Sequence, residues 1–159
     1  MSTDFMSFEK LAFYRGVSDN FPLDHPMIVM TRKNRKPRDT NIELHNAADE
    51  WFFEKFGVKY RSQAVFVTPQ LDVARGYGAT FDHVVRVIPL GGYSFCWSKK
   101  FADMLLLLND GVKLAEVSAY LDRAEYTELD LSSAYTSGNE LMLYCNAYVA
   151  IPVLLLPEL

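Results

Sequence analysis

Four short apolar segments in the second half of the chain constrain its fold most, because each has the length of one strand. They read HVVRVIPL, YSFCWS, ELMLYC and AYVAIPVLLL, with Gly91-Gly92 dividing the first pair and a turn expected near Asn146 in the second. Turn residues between apolar runs predict separate strands. KLAFYRGVS (10–18) and SQAVFVT (62–68) predict two more. Because the strands cluster late, the pattern favours an α+β domain with packed, mostly antiparallel sheets over a doubly wound fold.

One long helix is predicted ahead of the middle strands, in the segment TNIELHNAADEWFFEKFG. Thr40 and Glu43 have the spacing of a capping box, and Gly57 lies where a helix C-terminal glycine belongs. Its apolar residues form one stripe: Leu44, Ala48, Trp51, Phe52 and Phe56. Residues 18–40, with three prolines, are expected to be a loop. Residues 99–123 are expected to be helical, with a division at Gly111.

The composition predicts a single domain over residues 1–159, since half of the residues are hydrophobic and no linker interrupts them. A net charge of −4 argues against a protein that coats nucleic acid throughout, although local basic patches remain open. Cys96 and Cys145 are expected to be buried, reduced thiols of a cytoplasmic protein. The three histidines share no ligand spacing, so no metal site is expected. No membrane span or secretory signal is predicted.

Three polar residues stand at the edges of apolar segments. Arg15 in FYRG offers a planar donor fork for an anion such as a pyrophosphate, or pairs with a surface carboxylate. Thr68 closes a strand and is expected to cap a short helix with Pro69 in its first position, where N–H groups bind phosphate or are simply capped. Glu140 stands at the start of a late strand, either as a solvated carboxylate or as a catalytic one.

A basic run, RKNRKPR, lies within the predicted loop. Five residues in it carry positive charge: Arg32, Lys33, Arg35, Lys36 and Arg38. Such a run can neutralise several phosphates of RNA or DNA, or it is a solvated loop with no ligand.

The chain resembles the arginine–serine–glutamate branch of the ADP-ribosyltransferase superfamily over roughly residues 10–155. The resemblance rests on three segments in this order: FYRG, FVTPQLDVARGYG and SGNELML. In that branch an Arg lies on the first strand, a Ser-Thr-Ser strand precedes a short helix, and a catalytic Glu opens a later strand. Arg15, Thr68 and Glu140 match these positions. The Ser-Thr-Ser element stands here as Thr68-Pro69-Gln70. Gly138 replaces the second Glu of members that modify arginine.

The resemblance implies a split antiparallel β-sandwich with flanking helices, and NAD as a substrate without a metal. It implies Glu140 as the catalytic residue, with Arg15 at the pyrophosphate and Thr68 at the NAD site. Arg61, which lies just before the Thr68 strand, or Arg38 is a further candidate for contact with the NAD phosphates. Backbone groups of Gly16 and the ring of Tyr77 would hold the nicotinamide, although a tyrosine such as Tyr77, taken alone, is more often a core residue.

The implied activity is transfer of ADP-ribose from NAD to a macromolecule, with no membrane partner. Gly138 points to an acceptor other than arginine: a nucleic-acid group, another protein site, or water, as in an NAD glycohydrolase. The small size is typical of a bacterial toxin with an antitoxin partner, or of an antiphage or phage effector. The alternative from another class is a non-catalytic nucleic-acid-binding module on the same fold.

Overall fold

The structure is a computed structural model that describes residues 7–36, 41–102 and 112–157. Its centre is one antiparallel sheet of six strands. The strands are β1 (Tyr14–Gly16), β2 (Met27–Met30), β3 (Val65–Val67), β4 (Val84–Ser98), β5 (Tyr126–Thr127) and β6 (Leu141–Pro152). Helices are packed against this sheet, which confirms the α+β class with antiparallel pairing.

The longest strands, β4 and β6, form the middle of the sheet. One edge of β6 pairs with β4, while its other edge pairs with β3 at its start and with β2 towards its end. β1 and β5 pair with opposite ends of β4. The sheet therefore carries short strands around two long ones.

The predicted breaks at Gly91-Gly92 and near Asn146 were wrong, because β4 and β6 are each one continuous strand. The register shifts between Leu90 and Tyr93, and Gly91 has a φ of 71°. This is a β-bulge, in which an extra residue bends a strand without ending it. Asn146 lies across from the bulge, between the partners of Leu90 and Tyr93, so no turn is needed there.

Helix α1 (Ile42–Phe56) confirms the predicted long helix, with a different N-cap. The side chain of Asn41 accepts a hydrogen bond from the backbone N–H of Glu43, at 2.7 Å. Thr40, the predicted cap, lies outside the described residues. Gly57 ends the helix with a φ of 79°, a left-handed conformation that glycine adopts without a steric penalty, as expected.

The remaining helices are short: α2 (Tyr60–Gln63), α3 (Leu71–Tyr77), α4 (Val117–Arg123) and α5 (Leu131–Ser137). The predicted strand at 62–68 is therefore shorter, since Ser62 belongs to α2. The predicted loop contains β2, and α5 was not predicted. Gly111 lies outside the described residues, which include only α4 and one 3-10 turn of the predicted helical segment.

Two apolar clusters cover the two faces of the sheet where β6 begins. Leu141 and Leu143 belong to one cluster, while Met142 belongs to the other. The second cluster contains Ala48 and Phe52 of the predicted α1 stripe, both fully buried. Alternate side chains of a strand point to opposite faces, so the start of β6 is buried on both sides. This fixes the position of the residue just before it, Glu140.

Both cysteines are buried and unpaired, as expected. Across the described ranges, no helix combines the length and apolar character needed to cross a bilayer.

Candidate functional site

The strand pairing brings together the three segments that contain Arg15, Thr68 and Glu140. Thr68 and Tyr14 exchange both backbone hydrogen bonds, at 2.7 and 2.9 Å. Val67 pairs with Leu141, so extending the register by one residue places Thr68 across from Glu140. Residues directly opposite each other on antiparallel strands share a face of the sheet. The three segments therefore lie side by side, with Tyr14 rather than Arg15 on the face that Thr68 and Glu140 share.

Thr68 does not cap the helix that follows it, contrary to expectation. Helix α3 begins at Leu71 with Gln70 before it, and no side chain caps its N-terminus. The Thr68 hydroxyl instead accepts a hydrogen bond from the N–H of Gln70, at 3.1 Å. The bridge to Tyr14 holds Thr68 extended, so the chain turns into the helix only later. Thr68 therefore stays within the sheet beside Glu140.

The loop before Glu140 is held from three directions. The side-chain amide of Gln70 donates to the carbonyl of Gly138 at 2.9 Å, and that of Asn139 donates to the carbonyl of Ser98 at 3.0 Å. The N–H of Glu140 donates to the carbonyl of Ala102 at 2.7 Å. Glu140 is half-buried. Its backbone is thus fixed more firmly than that of an ordinary exposed strand end.

A cleft of about 630 Å³ opens beside Arg15 and Gly16, and its described lining residues do not include Thr68 or Glu140. This volume is within the range of ligand sites, which is roughly 300–1,000 Å³. The lining residues relevant to the predictions are Arg15, Gly16, Arg32, Arg35, Tyr77 and Tyr148. Asp19 is the only acidic residue among the described residues that line the cleft, whereas Arg15, Arg32 and Arg35 are basic. The cleft lining is therefore predominantly cationic.

Gly16 presents backbone groups to this cleft. Hydrogen bonds from Val87 to Phe13 and from Val17 to His83 show that odd-numbered residues of this segment bond to β4. Even-numbered residues point their N–H and C=O the other way, as Tyr14 does towards Thr68. Gly16 has this second orientation where the bridge between β1 and β3 has ended, and it lines the cleft. Its edge can accept a ligand amide as a further strand would.

Close packing between two glycines brings Tyr77 to the cleft. A Cβ on Gly16 would lie 2.5 Å from the nitrogen of Gly78 and 2.6 Å from the carbonyl carbon of Tyr77. Only glycine allows the end of α3 to approach β1 this closely. The Tyr77 side chain is 62% exposed and is not a core residue.

The predicted basic run is not one uniform solvated patch. Arg32 and Arg35 line the cleft, while Lys33 donates to the carbonyl of Cys145 at 3.0 Å and lies over the ring of Tyr144. Lys36 is exposed, and Arg38 lies outside the described residues. The assignment of these residues to nucleic acid stays a prediction, with Arg32 and Arg35 at the cleft. Exposed and half-buried residues alternate along 31–36, as they do in an extended chain that lies on the protein surface.

Arg35 lines the cleft and is also electrostatically coupled to Glu140. One guanidinium nitrogen donates to the carbonyl of Ala64 at 2.7 Å, and the group lies over the ring of Phe66. Burial lowers the pKa of Arg35 to about 10, with further lowering by Arg15, Arg61 and Arg32, while Glu140 acts in the opposite direction. Coulomb interactions of this kind act over short distances. Arg35 therefore lies within the field of both Arg15 and Glu140.

Arg61 does not line the cleft, but it lies within the electrostatic field of Glu140. It is 8% exposed, and its Nε donates to Nδ1 of His45 at 3.2 Å. Burial lowers the pKa of Arg61, and the negative charge of Glu140 is the largest influence that raises it. Arg61 thus shares the site with Glu140 but is positioned differently from Arg15 and Arg35.

Comparisons with protein-family models, curated proteins and solved structures found no match to this chain. Within residues 7–36, 41–102 and 112–157, no group of three His, Cys, Asp or Glu side chains is arranged to hold a metal ion.

Proposed function

We propose that this protein is a mono-ADP-ribosyltransferase that transfers ADP-ribose from NAD to a macromolecule, with Glu140 as the catalytic residue. One observation carries the proposal. Arg15-Gly16, Thr68 and Glu140, which are far apart in the chain, lie on adjacent strands, and Arg15 and Gly16 line a cationic cleft of about 630 Å³. The three follow one another along the chain in the order of the arginine–serine–glutamate branch.

The sheet supports the same assignment. β6 pairs with β3 in its first part and with β2 in its last part, and β4 bends at its bulge between them. The bridge from Tyr14 to Thr68 joins β1 to β3 at one point only. In the proposal, these two halves are the layers of a split antiparallel β-sandwich, and the opening between β1 and β3 receives NAD.

The cleft offers partners for the pyrophosphate and the nicotinamide of NAD. Arg15 and Arg35 present guanidinium groups to the pyrophosphate, and a planar fork suits phosphate oxygens. The backbone N–H and C=O of Gly16 match the donor and acceptor of the nicotinamide carboxamide. The exposed ring of Tyr77 stacks on the nicotinamide and limits the direction in which it leaves. The sequence predicted that Arg35 binds nucleic acid, and the proposal uses it for NAD instead.

Glu140 stabilises the positive charge that develops on the ribose. The bond between nicotinamide nitrogen and ribose C1′ breaks, and the bonding electron pair leaves with neutral nicotinamide. The ribose becomes oxocarbenium-like, as in glycoside hydrolysis. A carboxylate hydrogen-bonded to the 2′-hydroxyl stabilises that charge. An acceptor nucleophile then forms the new bond to C1′ and loses its proton to solvent.

Gly138 indicates which acceptors the site serves. It occupies the position two residues before Glu140, and it ends α5 with a φ of 75°. Its Cα lies beside the side chain of Gln70, where a Cβ would come within 2.8 Å of the amide nitrogen. No second acid stands there to deprotonate an arginine, so the acceptor is a nucleic-acid group or a non-arginine protein site.

Incubation of labelled NAD with a cell lysate tests the proposal. The wild type should transfer label to a macromolecule, and Glu140→Gln should lose at least about 10²-fold in rate. Separate digestion with nuclease and protease then identifies the acceptor class. Consumption of NAD without labelled product would indicate an NAD glycohydrolase instead. Salt-sensitive binding of RNA or DNA without any use of NAD would favour the non-catalytic binding module.

A further inference from the structure

A buried polar group outside the cleft lining is coupled to Glu140 through the charge of Arg61. It consists of His45 and Asp49, one turn apart on α1, and Arg61 on α2. Their exposed fractions are 3%, 6% and 8%. Buried groups of this kind are costly unless they satisfy one another. None of the chemistry assigned to the cleft uses His45 or Asp49.

The hydrogen bonds define the state of His45. Nε of Arg61 donates to Nδ1 of His45 at 3.2 Å, so Nδ1 carries a lone pair and Nε2 carries the ring hydrogen. Nε2 lies 3.9 Å from a carboxylate oxygen of Asp49. The other oxygen of Asp49 accepts from the N–H of Ser62, which holds α2 against α1 at 3.1 Å. His45 thus accepts from Arg61 only while its ring is neutral.

The charged groups around His45 come from each element packed against it. Asp49 faces it from α1, Arg61 faces it from α2, and Arg35 faces it from the segment after β2. Burial lowers the pKa of His45 most, Arg61 lowers it further, and Asp49 and a backbone hydrogen bond with Arg35 act in the opposite direction. A second proton would place an N–H against the N–H of Arg61, in a site with two cations already.

Arg61 connects this group to Glu140. Glu140 is the largest favourable charge acting on Arg61, ahead of Tyr126 and Asp49. Because Arg61 is buried, water cannot reorient its guanidinium freely, and the bond to His45 helps to set its direction. A guanidinium fixed in this way holds a neighbouring carboxylate in one place and in its ionised form.

We propose that Arg61 is a positioning residue for Glu140, and that neutral His45, aligned by Asp49, holds Arg61 in the required orientation. The inference rests on the proposed role of Glu140. It assigns Arg61 a task different from NAD binding, since the cleft has Arg15 and Arg35 for the phosphates. It also makes activity depend on the charge of a residue that never touches the substrate.

Steady-state kinetics with NAD test this role in three variants. His45→Leu removes the acceptor, and Arg61→Lys removes the planar donor, so each should lower kcat about 10-fold or more with little change in the KM for NAD. His45→Gln keeps an oxygen acceptor for Nε of Arg61, so it should retain kcat close to that of the wild type. A raised KM with unchanged kcat in Arg61→Lys would show that Arg61 binds NAD, and would overturn the inference.

The pH profile provides a signature that a purely structural role would not give. The wild-type kcat should fall below a pKa lower than the ordinary 6.5 of histidine, as His45 gains its second proton. That limb should disappear in His45→Gln, because the amide does not titrate in this range. Identical acid limbs in the two proteins would contradict the inference.

A titration without NAD separates this inference from the proposed function. The pKa of His45 is read from its imidazole NMR signals in the wild type and in Arg61→Gln. The pKa should rise in the variant, since Arg61 lowers it. An unchanged pKa would refute the coupling of Arg61 to His45, whatever the activity. If the wild type leaves NAD intact while the pKa rises, the proposed function fails and the buried coupling stands.

Discussion

Gly16→Ala tests how the cleft is built, because a methyl group at this position meets backbone atoms. The new Cβ would lie 2.5 Å from the nitrogen of Gly78, 2.6 Å from the carbonyl carbon of Tyr77 and 2.7 Å from the carbonyl oxygen of Ala74. These distances are about 1 Å shorter than favourable contacts of roughly 3.5–4.0 Å. No side-chain rotation relieves them, so β1 must separate from the end of α3.

The expected cost follows from overpacking. An extra methyl in a close-packed region costs about 1–3 kcal/mol, against which the loss of glycine freedom in the unfolded chain returns about 0.4–1 kcal/mol. We therefore expect Gly16→Ala to lower the free energy of unfolding by about 1–2 kcal/mol. At about 2–4 °C per kcal/mol for a domain of this size, Tm falls by roughly 2–8 °C. Tyr77 should also move from the cleft, which weakens NAD binding.

Urea unfolding followed by circular dichroism measures the change, with NAD affinity measured in parallel. Gly76→Ala is the matched control, because it lies in α3 next to Tyr77 and a Cβ there meets nothing within 4 Å. The control should be as stable as the wild type or more stable by up to about 1 kcal/mol. If Gly16→Ala shows the same midpoint as Gly76→Ala, the close approach of β1 and α3 is not real and the reasoning is refuted.

Three further changes test the supports of the site. Phe52→Ala removes a fully buried ring under α1 and should cost about 3–5 kcal/mol in urea unfolding; a loss below 1 kcal/mol would contradict its place in the core. Asn41→Ala removes the α1 cap and should cost about 1 kcal/mol, while Asn41→Asp, which keeps the oxygen acceptor, should cost less. Folding lowers the pKa of His45, so the unfolded chain binds a proton at this ring more readily than the folded protein does. Protonation of His45 therefore has no effect on the free energy of unfolding well above pH 6.5, and lowers that free energy as the pH falls below 6.5. His45→Gln should therefore show a flatter fall in stability between about pH 6.5 and 5 than the wild type, and equal slopes would argue against a buried neutral ring.

Local signals in the sequence predicted the parts of the fold that depend on neighbouring residues. Gly57 ends α1 in the left-handed conformation, and the apolar stripe of α1 is packed where its spacing indicated. The continuity of β4 was missed because Gly91-Gly92 is equally compatible with a turn and with a bulge. Pairing with β6, far away in the chain, decides between them.

The candidate site shows the same division. The order of the three motifs selected Arg15, Thr68 and Glu140, and the pairing of β1, β3 and β6 brings their segments together. The place of Arg35 in the cleft lining was not predicted, since five neighbouring cations look alike in the sequence. Only the tertiary structure separates Lys33, which bonds the carbonyl of Cys145, from Arg35, which faces the cleft. The placement of Arg61 against His45 likewise depends on the packing of α1 on α2.

The central claim is that Glu140 drives cleavage of the bond between nicotinamide and ribose. It is tested most directly by measuring nicotinamide release from NAD in a cell lysate, after addition of purified wild type, Glu140→Gln or Glu50→Gln. Glu50 is an exposed carboxylate on α1 and serves as the matched control. We predict equal release by the wild type and Glu50→Gln, and release slower by at least about 10²-fold with Glu140→Gln. Equal release by all three proteins, or none above the background of the lysate, would contradict the account.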